Sequence, residues 1–171
     1  MPTVPRAPIR YRLGLNQPAE SPTAKRLAEM AEAIERDTDG DFQLAVHPES
    51  RLGPDPQMFA DLQAGKLEFY LSGATLGGVA PASALPLLPF AFSSSRAVFA
   101  ALDGALGDVI RGELAKAGLH AFRHSLQNGF HHITTSNRAI HTAADFAGLK
   151  IRSPRRASRP GWCRSAACTT R

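Results

Sequence analysis

Polar residues stand directly after several apolar, strand-like stretches of the sequence. Arg152 ends the stretch at residues 149–152, Asn16 follows the first such stretch, and Ser72 with Gly73 follows another. The planar fork of an arginine can donate two parallel hydrogen bonds to one carboxylate, and an asparagine amide can both donate and accept. Ligands of open parallel sheets bind beyond the carboxyl ends of the strands. Such residues could bind a small carboxylate, but taken alone an arginine at a strand end is more often a solvated surface residue, and asparagine, serine and glycine there are also common in tight turns.

Motifs of the common catalytic and cofactor sites do not occur in the sequence. There is no Gly-x-Ser-x-Gly elbow, no Walker phosphate loop and no Gly-x-Gly-x-x-Gly fingerprint. Four histidines could form a metal cluster: His120, His124, His131 and His132. No cysteine and few acids lie near them in the sequence, so we interpret them as polar surface or cleft-lining residues. We therefore expect no catalysis, no cofactor and no metal. An α/β hydrolase-like enzyme is the alternative, which turnover of an ester or nucleotide would support.

The positive charge of the chain is concentrated at its end. The formal charge is +5, and residues 155–171 hold five arginines with no lysine and no acid, so that 15 basic and 15 acidic residues precede them. This segment also contains both cysteines and shows no periodicity. It could be a disordered basic arm of a nucleic-acid-binding protein, or a structured end that carries the cysteines. We favour a third interpretation, sequence out of frame after a reading-frame shift, and expect no nucleic-acid partner.

Hydrophobic periodicity predicts the elements that position the first strand-end residues. Residues 9–15 and 41–47 alternate between apolar and polar types, as strands do. Between them, Ser21 is followed by proline and an apolar stripe at helical spacing, which predicts a capped helix that ends near Gly40. The first strand therefore delivers Asn16 to the loop that precedes this helix.

The remaining elements continue the alternation of strands and helices. Asp55 is predicted to cap a short helix, and residues 67–71 form a third strand that ends beside Ser72. One long helix is predicted from the serines at 93–95 to Gly118, followed by a short strand at 119–123. The order strand, helix, strand, helix, strand favours a parallel α/β sheet with helices on its faces.

Motifs spread over residues 9–154 share their order and spacing with one family. They include the helix before the strand at 41–47, a Pro-Phe segment at 85–92, Asn-Gly-Phe at 128–130 and Asp-Phe-Ala-Gly-Leu-Lys-Ile-Arg-Ser-Pro at 145–154. Together they resemble the substrate-binding proteins of tripartite ATP-independent periplasmic (TRAP) transporters, of the dicarboxylate-binding type. The pattern disappears after Pro154, so we expect the chain to be truncated.

The resemblance implies an α/β fold of the periplasmic-binding-protein type, a parallel sheet with flanking helices. Residues 1–126 would form an incomplete first domain, 127–154 the crossover and the start of a second domain, and 155–171 the atypical tail. The resemblance also implies a function, namely an extracytoplasmic solute-binding subunit that holds a small organic carboxylate for uptake by TRAP membrane subunits. Such proteins are periplasmic, although the proline-containing start of this chain is not a secretory signal as written.

The resemblance assigns roles to individual residues. In the family, the arginine of Gly-Leu-Lys-Ile-Arg, which is Arg152 here, grips the ligand carboxylate in the cleft between two domains. The family often has a second arginine directly after Asn-Gly-Phe, where this chain has His131, a residue whose charge depends on pH. That departure weakens the prediction of a ligand with two carboxylates. Arg138 is interpreted as structural or solvent-exposed, and the predicted substrate-binding set is Arg152, Asn16, Ser72, Gly73 and His131.

Overall fold

The first strand of the chain lies at the centre of a three-stranded parallel sheet. The computed structural model describes residues 7–72, 74–88, 91–126, 129–130, 132–136, 138–151 and 169–170. Its first three strands are β1 (Ile9–Gly14), β2 (Phe42–His47) and β3 (Phe69–Tyr70), in the order β2-β1-β3. β1 pairs with β2 along its whole length and with β3 at its last two residues. The carboxyl ends of all three strands therefore meet at one edge of the sheet.

Helix α1 (Pro22–Asp37) connects β1 to β2 and begins where the sequence predicts. The Ser21 hydroxyl accepts a hydrogen bond from the Ala24 amide at 3.2 Å, and proline occupies the first helical position, where no backbone donor is needed. The helix ends at Asp37 with Thr38 as its C-cap, and Gly40 takes a positive φ of 81° in the turn that leads into β2. The predicted helix is thus confirmed, with its end placed at Asp37.

The two faces of the sheet are covered by different helices. On one face, Leu13 and Leu15 of the β1 region pack with Ala24 and Leu27 of α1, and all four are at least nine-tenths buried. The residue between the two leucines, Gly14, faces the other way, as alternation in a strand requires. There it lies beneath α2 (Asp55–Gln63), whose Met58 is fully buried. This tight approach fixes α2 against the carboxyl end of β1.

The predicted long helix is wrong, because the chain breaks it at Gly104. The structure has α3 (Ser95–Asp103) and α4 (Ala105–Lys116) after two 3-10 helices, Ala74–Gly78 and Pro81–Leu87. A Cβ on Gly107 would lie 1.7 Å from the Leu102 carbonyl oxygen, so the reversal between the two helices requires glycine there. The strand predicted at 119–123 is also wrong, since those residues form no strand.

Residues after Asn128 belong to a second compact unit, Gly129–Arg171, distinct from Met1–Asn128. Its described elements are a 3-10 helix (Ala143–Phe146) and the parallel pair β4 (Lys150–Ile151) and β5 (Thr169–Thr170). The predicted fold class is confirmed, because the chain forms a parallel α/β sheet with flanking helices. In the part of the chain that the structure describes, no helix is long and apolar enough to cross a membrane.

Candidate functional site

Asn16 and Ser72 lie next to each other in the sheet, directly beyond the carboxyl ends of β1 and β3. Strand pairing continues past the regular strands, because the Leu15 amide donates to the His47 carbonyl at 3.1 Å and the Leu71 amide donates to the Gly14 carbonyl at 2.9 Å. The next residues along each strand are Asn16 and Ser72. The structure therefore brings these two predicted site residues to the same edge, where parallel sheets bind ligands.

Asp55 connects Asn16 to the start of helix α2. The Asn16 amide Nδ2 donates to Asp55 Oδ2 at 2.7 Å, across 39 positions of sequence. The other carboxylate oxygen, Asp55 Oδ1, is buried and has no hydrogen-bond partner among the described residues. The prediction that Asp55 caps α2 is wrong, because Pro54 holds the cap position and Asp55 is the first helical residue. Its carboxylate instead faces the polar edge of the sheet.

Three hydroxyl groups continue this cluster along β3. Ser72 Oγ and Thr75 Oγ1 lie 2.8 Å apart, and the Tyr70 hydroxyl lies 3.5 Å from the same Thr75 oxygen. Burial raises the pKa of Tyr70 to about 12; the hydrogen bond with Thr75 opposes this rise, and the neighbouring Asp55 carboxylate adds to it. The Tyr70 phenol is therefore neutral at physiological pH and can donate a hydrogen bond.

His47 adds a buried nitrogen to the same edge of the sheet. It is the last residue of β2 and stands opposite Gly14 in the strand register. Its Nε2 atom is buried and lacks a partner among the described residues. A buried polar atom without a partner costs free energy unless another group satisfies it. His47 and Asp55 thus both carry hydrogen-bonding capacity that the described protein atoms do not use.

The polar residues at this edge form what we call the strand-end cluster: Asn16, His47, Asp55, Tyr70, Ser72 and Thr75. The chemistry of this cluster is that of a site for the hydroxyl groups of a ligand. Its carboxylate accepts hydrogen bonds, and its amide and hydroxyl groups both donate and accept. None of the described members of the cluster carries a fixed positive charge. A ligand carboxylate would therefore need a cation from elsewhere in the chain.

Three of the predicted binding residues, Gly73, His131 and Arg152, lie outside the described residues. Arg152 immediately follows β4, the last strand before the tail. The roles predicted for all five residues stay predictions. Four members of the strand-end cluster were not predicted from the sequence as members of a polar site: Asp55, His47, Tyr70 and Thr75. Asn16 was selected because ligands bind at the carboxyl ends of parallel strands, and the same rule could have found His47, which is the last residue of β2.

The histidines considered as metal ligands do not form a cluster in the described part of the chain. His124 Nδ1 lies 3.3 Å from Asp103 Oδ1, whereas His120 packs edge-on against Phe122. No group of three or more histidines, cysteines, aspartates or glutamates able to hold a metal occurs among the described residues. An apolar depression of about 360 Å³ is lined by Leu67, Phe69, Leu119 and Phe122, among others, and includes no member of the strand-end cluster.

Comparison with known proteins relates the chain to one group of bacterial binding proteins. The family model described as "DctP: Bacterial extracellular solute-binding protein, family 7" matches residues 13–160. The 2,3-diketo-L-gulonate-binding periplasmic protein YiaO of Escherichia coli is 31% identical over 121 residues, which are 70% of this chain and 37% of that protein.

Solved structures give the same relation. A TRAP periplasmic solute binding protein from Polaromonas sp. JS666, bound to D-erythronate, matches with a TM-score of 0.82 and 25% identity, over 95% of this chain and 54% of its own. The sugar acid binding protein DctPAm from Advenella mimigardefordensis, in complex with galactonate, matches with a TM-score of 0.82 and 27% identity, over 95% of this chain and 53% of its own. The chain thus spans about half the length of these solved chains and 37% of the Escherichia coli relative.

Proposed function

Because this chain belongs to family 7 of the bacterial extracellular solute-binding proteins, we propose that it binds a small organic carboxylate as the solute-binding subunit of a TRAP-type transporter. Its place would be the periplasm, and its partners would be the organic acid and the membrane subunits that receive it. The role is binding without chemical conversion. No cofactor enters this function.

The observation that carries the proposal is the strand-end cluster. Asn16 and Asp55 at one strand end and Tyr70, Ser72 and Thr75 at the next converge where α/β proteins bind small ligands. The unpartnered oxygen of Asp55 supplies an acceptor that a ligand hydroxyl group would satisfy. In this scheme Asn16, Ser72 and the backbone at Gly73 bind the polar body of the ligand.

Arg152 supplies the positive charge in the proposal. An arginine fork binds a carboxylate through two charge-assisted hydrogen bonds, each stronger than a bond between neutral groups. His131 would donate a further hydrogen bond and would add charge only when protonated. A ligand with one carboxylate and several hydroxyl groups suits the chemistry of Arg152 and also that of the strand-end cluster.

The Asp55 carboxylate favours such a sugar acid over a dicarboxylate. A second carboxylate on the ligand would approach a like charge at the strand-end cluster, and this repulsion is strong where water is partly excluded. A hydroxyl group at the same place donates to Asp55 instead. The relatives named above bind D-erythronate, galactonate and 2,3-diketo-L-gulonate, which are acids of this kind.

Calorimetric titration of the 171-residue chain with D-galactonate, D-erythronate and succinate tests the proposal. We expect saturable binding with the acid recovered unchanged, and tighter binding of the two sugar acids. Arg152→Ala should weaken binding about a hundredfold, since it removes two charge-assisted hydrogen bonds. Arg26→Ala, which removes an arginine from the exposed surface of α1, is the matched control and should bind like the wild type. Absence of binding to all three acids, or an unaffected Arg152→Ala variant, would overturn the proposal.

The preference for a sugar acid has its own test. Asp55→Asn removes the negative charge but keeps the shape of the side chain, so we expect the ratio of galactonate to succinate affinity to fall. Asp61→Asn removes a carboxylate from the same helix outside the strand-end cluster and should leave that ratio unchanged. An unchanged ratio in Asp55→Asn would show that this carboxylate does not select the ligand.

A further inference from the structure

One arginine side chain holds the end of the turn that leads into β4. Arg138 Nη2 donates to the carbonyl oxygens of Asp145 and Ala147, at 2.8 and 2.6 Å. Both carbonyls lie where the 3-10 helix Ala143–Phe146 ends. Helical carbonyls at that end lack partners within the helix, and a cation there also opposes the negative end of the helix dipole. Arg138 therefore stabilises the exit of this turn.

The entry to the same turn is fixed independently. Asp145 Oδ2 accepts hydrogen bonds from the amides of His141 and Thr142, at 2.9 and 2.7 Å, and from the Thr142 hydroxyl at 3.0 Å. These bonds lower the pKa of Asp145, with the His141 amide as the largest cause. The carboxylate thus closes a capping box with Thr142. Because the start of the turn is fixed in this way, the position of its last carbonyls determines the path of the residues that follow.

Only three residues separate the 3-10 helix Ala143–Phe146 from β4 (Lys150–Ile151). The Leu149 amide donates to the Phe146 carbonyl at 3.1 Å, and Gly148 adopts a positive φ of 75°. The side chain of Phe146 is buried. The chain from Ala147 to Lys150 is therefore short and held by defined bonds. A shift of the carbonyls that Arg138 holds would change the direction of β4, which Arg152 follows in the sequence.

We propose that Arg138 is a positioning residue for ligand binding, which acts by fixing the turn before β4. The inference rests on the proposed function, in which Arg152 binds the ligand carboxylate. Arg138 acts through the backbone, because both hydrogen bonds that its side chain makes to the described residues go to carbonyl oxygens of the turn. A single nitrogen makes both bonds, so an ammonium group at the same place can replace much of the interaction.

Two substitutions test the inference in the full chain. Arg138→Met removes the charge and the donors at similar length, whereas Arg138→Lys keeps a cationic donor. We expect Arg138→Met to bind D-galactonate about tenfold more weakly or worse, the loss typical of one charge-assisted hydrogen bond. Arg138→Lys should recover most of the affinity. In Arg138→Met the amides of Lys150 and Ile151 should exchange hydrogen faster, while those of β1 (Ile9–Gly14) should keep their protection.

A double-substitution cycle separates positioning from general destabilisation. If Arg138 acts through Arg152, Arg138→Met should cost no further affinity in an Arg152→Ala background. Full additivity, or wild-type affinity and exchange in Arg138→Met, would overturn the inference while the proposed function stands. Loss of β1 protection in Arg138→Met would also overturn it, because the variant would then be globally destabilised. If the wild type binds none of the acids, the proposed function fails and the ligand-positioning role fails with it.

Discussion

Gly14 offers the sharpest test of how the sheet fixes the strand-end cluster. A Cβ added at this position would lie 2.8 Å from Met58 Sδ, and 3.4 and 3.5 Å from the nearest atoms of Leu67 and Leu52. Met58 is fully buried, so its sulfur has no solvent-filled space into which to move. Gly14→Ala should therefore force the buried Met58 side chain to repack against β1.

The expected cost follows from overpacking of a buried contact. Extra methyl groups in a well-packed core typically cost ~1–3 kcal/mol. With a urea slope of about 2 kcal/mol per molar, the urea midpoint of Gly14→Ala should fall by roughly 1 M.

Two further variants make this prediction specific. Gly112→Ala adds the same methyl group to α4, where no heavy atom lies within 4 Å, and should raise stability by about 0.5–1 kcal/mol because alanine favours helix. In a Met58→Ala background the sulfur is absent, so Gly14→Ala should cost little there. A Gly14→Ala variant with the stability of the wild type, measured by urea unfolding, would refute this account of how α2 is held.

The remaining predictions concern two carboxylates. The pKa of Glu68 is lowered from its ordinary 4.5, chiefly by the hydrogen bond from Arg12. Glu68 therefore stabilises the fold fully above pH 4.5, and this stabilisation is lost as the pH falls through the lowered pKa. Glu68→Gln should lower the free energy of unfolding by about 0.5–1 kcal/mol at pH 7, as the loss of a partly exposed ion pair does, and should not change it in strong acid. A difference from the wild type that stays constant across pH in urea unfolding would contradict this. The pKa of Asp145 is lowered from 3.8 by the amides of His141 and Thr142 and by the Thr142 hydroxyl. In an NMR titration, Thr142→Val should therefore raise the pKa of Asp145, and an unchanged value would show that the hydroxyl contributes nothing.

Elements with local signals could be predicted from the sequence. Ser21 followed by proline specifies the start of α1, because the capping hydrogen bond joins residues only three positions apart. The alternation of apolar and polar residues specifies β1 and β2. The break at Gly104 could not be found in this way, because the apolar stripe continues through it from α3 to α4. What separates the two helices is the close approach of Gly107 to the Leu102 carbonyl, a tertiary contact that leaves no periodic signal.

The candidate site was predicted only in part for the same reason. Asn16 and Ser72 could be identified because each follows a strand, which is a local property. Asp55 was interpreted as a helix cap, since its contact with Asn16 spans 39 positions and depends on where α2 lies over Gly14. The raised pKa of Tyr70 depends first on burial, which only the folded chain creates.

The strand order of the sheet also constrains when the protein can fold during synthesis. β1 leaves the ribosome first, yet it is the middle strand, and its second neighbour ends only at Tyr70. Until then a nascent chain exposes one edge of β1, and exposed strand edges promote aggregation. The loops to be closed are long, from β1 to β2 and then to β3, which slows assembly. Translation from β1 to the end of β3 is therefore the interval in which a chaperone would protect this protein most.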